Sequence, residues 1–114
     1  MPKFMFQASY TPAGVKAMAR EGGAKRRGAV GAAIEALGGR MESFYYAFGK
    51  HDVIVIADLP DNVASTAFAI AVNQTGLVTA STVVLITADE MDRAAKKAVR
   101  YRAPGQKKLA PGKK

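Results

Sequence analysis

The chain has 114 residues, 49% hydrophobic and 23% charged, which suits one compact globular domain and is too apolar for a disordered chain. It contains no cysteine, so disulfides, thiolate metal centres and a cysteine nucleophile are excluded. The formal charge of +8 is unevenly placed: residues 93–114 carry nine basic residues and no acid, whereas residues 1–92 carry eight basic against nine acidic, a net −1.

Met1-Pro2-Lys3-Phe4 leads straight into an alternating stretch, with no apolar run and small-residue cleavage site. No signal peptide is expected, and the protein is expected in the cytoplasm. From Lys3 to Tyr10, Phe4, Phe6, Ala8 and Tyr10 alternate with Met5, Gln7 and Ser9, the period of a first strand. Thr11-Pro12 then reads as an N-cap followed by proline at the first helical position, where its missing N–H is no loss. The helix is expected to reach about Leu37, through Val15, Met18, Ala19, Val30 and Ile34. A bend or fraying is expected between Gly22 and Gly28, since each interior glycine costs about 1 kcal/mol relative to alanine. Gly38-Gly39 supplies the left-handed residue that commonly closes a helix.

Arg40–Phe48 and Asp52–Asp58 read as the second and third strands, joined by the short hairpin Gly49-Lys50-His51. Pro60 ends the third, and Asp61 is placed to cap a second helix running to about Asn73, with Val63, Ala67, Ile70 and Gln74 as one stripe and Phe68, Ala71 and Val72 beside it. After Gly76, Leu77–Ile86 is the fourth strand. The stretch from Asn62 to Ala88 has no charge, but Asn73-Gln74-Thr75-Gly76 divides it into halves shorter than the roughly 20 apolar residues of a membrane span. No transmembrane segment is expected. Thr87-Ala88-Asp89-Glu90 matches a capping box and opens a basic third helix, expected to run to about Arg102 with Met91, Ala95 and Ala98 or Val99 as its apolar stripe. Pro104-Gly105 starts a tail of lysine, glycine and proline. The expected division is a domain over 1–88, a basic helix over 89–103 and a flexible basic tail over 104–114.

The order strand, helix, strand, strand, helix, strand is the split βαβ arrangement. It predicts an α+β, ferredoxin-like βαββαβ fold, a four-stranded antiparallel sheet with two helices on one face. The opposite face should then be polar at alternate positions. Instead the third strand is apolar on both faces, at Val53 and Val55 and at Ile54 and Ile56, and the fourth offers Val78, Val84 and Ile86 against Leu77, Val83 and Leu85. A second copy of the same sheet is the simplest cover, with the basic C-terminal helix folded back over the face as the alternative, so a homo-oligomer is expected.

Thr11-x-x-Gly14, Arg27, the run from Gly38 through Arg40, Met41, Glu42, Ser43 and Phe44 to Tyr46, Phe48-Gly49-x-x-Asp52-Val53 and Pro60-Asp61 occur in this order, followed by Gly76-Leu77-Val78-Thr79 and Thr82. With that order and spacing the chain resembles the GYD-domain family over nearly all of residues 4–87. The resemblance implies a ferredoxin-like fold of the dimeric α+β barrel kind, with paired sheets, and no settled activity. His51 stands where that family usually has tyrosine before the aspartate, so a role resting on that phenol is not carried over.

On the non-helical face the alternation places Gln7, Ser9, Ser43, Tyr45, Thr79 and Ser81, which could line a small polar pocket between paired sheets or satisfy one another across an interface. His51 beside Asp52 has the residue types of acid–base chemistry, but strand neighbours point to opposite faces, and a turn histidine with Asp52 accepting backbone hydrogen bonds is the simpler reading. One histidine with no thiolate predicts no transition-metal site, and no cofactor is expected. Arg93, Lys96, Lys97, Arg100, Arg102, Lys107 and Lys108 are the candidates for salt-sensitive, sequence-blind contact with nucleic acid or an anionic membrane. The leading expectation is therefore a homo-oligomeric structural or small-ligand-binding domain. A cofactor-independent oxygenase of the barrel class and a polyanion binder acting through the tail are the alternatives.

Overall fold

The computed structural model describes residues 1–107. Its elements are β1 (Lys3–Tyr10), α1 (Pro12–Glu21), α2 (Gly23–Ala36), β2 (Arg40–Tyr46), β3 (Val53–Asp58), α3 (Asn62–Asn73), β4 (Val78–Leu85) and α4 (Ala88–Ala95). The caps read from sequence are in place. Thr11 Oγ1 accepts from Gly14 N at 3.1 Å with Pro12 opening α1, and an Asp61 carboxylate oxygen accepts from Ala64 N at 2.8 Å at the start of α3. At α4, Thr87 and Glu90 form the reciprocal capping box.

Where one helix with a bend was expected, two occur. Gly22 has φ 106°, a conformation only glycine adopts without strain, and its N–H closes α1 on Met18 O at 2.8 Å. The chain then restarts as α2 at Gly23. The basic C-terminal helix is also shorter than expected, ending at Ala95 rather than near Arg102. Every residue of α4 is exposed, so no buried face extends it, and Arg93, Lys96, Lys97 and Arg100 repel at three- and four-residue spacing.

The four strands form one antiparallel sheet in the order β2-β3-β1-β4. Phe4, Phe6 and Ala8 of β1 lie opposite Ala57, Val55 and Val53 of β3, and these six pack with Ile34 of α2, Phe68 of α3 and Leu59, just after β3, as the buried core. Phe6 and Phe68 meet edge to face with ring centroids 4.8 Å apart. The core-facing stripe of α3 differs from the expected one. Ser65 and Phe68 are buried with Val72 packed on the core, while Val63 and Ile70 point outward at 78% and 58% exposure. No helix among the described residues is long and apolar enough to cross a membrane.

Candidate functional site

The helices leave the other sheet face bare. Strand register aligns Tyr45, Ile54, Gln7 and Ser81 across one line of that face and Ser43, Ile56, Met5 and Val83 across the next, with Ser9 opposite Thr79 beyond. A register shift between Met41 and Ser43 sets β2 in phase with its neighbour. All six polar candidates thus share the face turned from the core, around an apolar centre of Met5, Ile54, Ile56 and Val83. Their side chains are lightly engaged: Ser9 Oγ donates to Lys50 O at 3.1 Å and Ser81 Oγ lies 3.5 Å from Gln7 O. The Tyr45 ring is 69% exposed on this face.

One end of the face is charged. Lys3 Nζ bridges Asp58 at 2.8 Å and Glu42, while Arg40 reaches Asp58 at 3.5 Å. The hydrogen bond from Lys3 holds the Asp58 carboxyl below its ordinary range, against partial burial, with Arg40 adding to the effect. The bonds to Asp58 and then Glu42 in turn raise the Lys3 ammonium.

Asp52 is engaged in structure. Its carboxylate accepts from Tyr10 N at 2.8 Å, its N–H donates to Ala8 O and its carbonyl accepts from Ala47 N, both at 2.8 Å, so it ties the end of β1 to the β2–β3 hairpin. His51, half-buried in that hairpin, makes no side-chain hydrogen bond among the described residues. No group of three His, Asp or Glu residues that could hold a metal ion occurs among the described residues.

The basic candidates among the described residues form a group of their own at the exposed C-terminal end. Arg93, Lys96 and Lys97 surround a shallow hollow on the exposed α4 arm, Arg93 pairing with Asp89 at 3.0 Å. Arg100 and Arg102 follow in exposed chain, Arg102 Nη1 donating to Gln106 O at 2.6 Å, and Lys107 is the last described residue. Lys108 lies outside the described residues.

A family model, the GYD domain, matches residues 4–95. The chain belongs to the GYD-domain family. No curated protein and no solved structure matches it. The GYD match includes α4, which the sequence division set apart from the domain. Within this GYD domain the Phe48-Gly49-x-x-Asp52 stretch has a structural purpose, because Asp52 satisfies a main-chain donor at the edge of the core. Sequence reasoning missed a group on the opposite, helical side, where Tyr10, Arg26 and Glu21 border a cleft between helices. Its one sequence signal is the run of alanines on the helices that line it, which period-based reading assigns to ordinary packing.

Proposed function

We propose that this GYD domain is a self-associating module in which two copies pair their open sheet faces, a ferredoxin-like fold assembled as in dimeric α+β barrels, with a structural or small-ligand-binding role. The observation that carries the reading is the apolar centre of Met5, Ile54, Ile56 and Val83, which no element of the described chain covers. Contiguous apolar surface of this kind marks an interaction site, and a two-fold axis lying between two copies, parallel to their sheets, lays the same patch against itself. The strand order supports the fold assignment: α1–α2 joins β1 to β2 across the intervening β3, and α3 joins β3 to β4 across β1. Light scattering on the full chain tests it. The expected result is a dimer or higher oligomer that Ile54→Lys reduces to monomer with its far-UV circular dichroism intact; a wild-type monomer overturns the reading.

A second reading, polyanion contact through the arm, is favoured by the convergence of Arg93, Lys96 and Lys97 at the exposed C-terminal end of α4. Binding to DNA and to anionic vesicles should weaken steeply with salt and vanish when all three are changed to glutamine. Unchanged retention by that variant sinks it.

A further inference from the structure

The helical side of the sheet is not filled. α2 packs over β2 and α3 packs along β4, and between them opens a cleft of about 300 Å³. Ala17 of α1, Ala33 of α2 and Ala71 of α3 contribute small side chains to its walls, with Phe68 and Val72 adding apolar surface. Small side chains on facing helices would ordinarily let the helices close until they touch. Here Tyr10 and Val78 of the sheet also border the gap, and the volume stays open. Its polar groups are clustered: Tyr10 lies beside Arg26 and Tyr46, Arg26 pairs with Glu21 at 3.3 Å, and Tyr46 donates to Gly23 O at 3.1 Å.

We infer that this cleft binds a small uncharged molecule with an apolar body held between α1–α2 and α3 and one hydrogen-bonding end group set at Tyr10 and Arg26. The volume lies at the small end of natural ligand sites, and a mostly apolar wall with a few convergent polar groups is their usual composition. Charge sets the ligand class. Glu21 balances Arg26 in a pair that is more than a third exposed, so the mouth of the cleft carries no excess positive charge to attract an anionic ligand. Burial, then Tyr46, raises the Tyr10 phenol, so it stays protonated and offers a neutral donor and acceptor. The cleft lies on the opposite side of the sheet from the proposed self-association face, and both can be occupied together.

The probes are 2-naphthol, a neutral apolar body with one hydroxyl, and its carboxylate counterpart 2-naphthoate, each titrated into the full ¹⁵N-labelled chain. The expected result is saturable shifting of the amides of Ala17, Ala33 and Ala71 by 2-naphthol, with 2-naphthoate bound about tenfold more weakly. Tyr10→Phe should weaken 2-naphthol roughly five- to tenfold, the loss of one hydrogen bond. Ala71→Phe fills the cleft and should abolish the shifts, with Ala33→Leu as the substitute if that variant does not fold. Shifts confined to the open sheet face, no saturable shift, or wild-type binding by the filled variant overturns the site. Equal binding of the two probes overturns the uncharged class. Oligomeric state measured on the same samples keeps this outcome separate from the self-association reading.

Discussion

Gly14 lies so close to Leu77 that a β-carbon on it would fall 2.0 Å from the Leu77 carbonyl oxygen. The same oxygen accepts from Thr11 N at 3.0 Å and faces Thr11 Oγ1 at 3.2 Å, so the first turn of α1 is seated directly on the chain entering β4. The obstacle is backbone, which cannot swing aside as a side-chain tip can. Gly14→Ala is therefore expected to destabilise the domain by about 2–4 kcal/mol, the range of forced overpacking. Gly28, inside α2 with nothing near its missing β-carbon, makes the control. Gly28→Ala is expected to stabilise by up to about 1 kcal/mol through helix propensity. Urea titration of the two variants checks the opposite signs, and equal midpoints would refute the seating of α1 on Leu77.

The Lys3–Asp58 bridge gives stability a defined pH dependence. Because Lys3 lowers the Asp58 carboxyl below its ordinary 3.8, the unfolded chain binds the proton more readily, and the contribution is present above that value. It is lost as pH falls through the lower folded value. Lys3 behaves in the opposite sense: raised above 10.5, it contributes below that value and loses the contribution as pH rises through the folded one. Lys3 is about one-third exposed, so solvent screening holds the contribution near or below about 1 kcal/mol. Thermal melts of wild type and Asp58→Asn should converge as pH is lowered from 5 toward 2, after subtracting the common acid loss. A gap that stays constant over that window would show that Asp58 acts without its charge.

How far the fold could be read from the chain depended on whether the deciding force was local. Thr11-Pro12, Asp61 and the Thr87–Glu90 box act within one helical turn, and each caps the expected helix. The period of two in Lys3–Tyr10 correctly separated Gln7 and Ser9 from the core. The stripe of α3 was not legible because Val63, Ala67, Phe68, Ile70 and Val72 spread apolar groups around the helix, and only packing against Phe6 chose among them. Gly22 and Gly28 are chemically alike, yet only the former takes a positive φ, at the break between α1 and α2. The cleft beside Tyr10 depends on the spacing of helices remote in sequence, which no local pattern encodes.

Asp52 and His51, adjacent in the hairpin, should respond very differently to substitution. Removing the Asp52 carboxylate leaves Tyr10 N without its acceptor, and Asp52→Ala is expected to cost about 1–2 kcal/mol. His51→Tyr places the residue usual in the GYD family and touches no hydrogen bond of the described residues, so it should stay within about 0.5 kcal/mol of wild type. Denaturant midpoints measured in parallel decide this. A loss for His51→Tyr matching that of Asp52→Ala would give the histidine a structural partner that the hairpin does not show.

Because every residue of α4 is exposed, its eight residues hold their helix mainly by local terms. Isolated helices of that length are marginal in water, so the cap at Thr87 and the Asp89–Arg93 pair at 3.0 Å carry much of the balance. Thr87→Ala removes the hydroxyl that accepts from Glu90 N at 3.0 Å and should cost about 1 kcal/mol of helix stability. That is enough to unwind most of α4 while leaving the sheet and its melting temperature unchanged. The Cα chemical shifts of Ala88–Ala95 should move toward coil values with those of β1 and β3 fixed. A matching fall in global melting temperature would mean that α4 is packed against the domain or against a second copy, making the arm part of the assembled core.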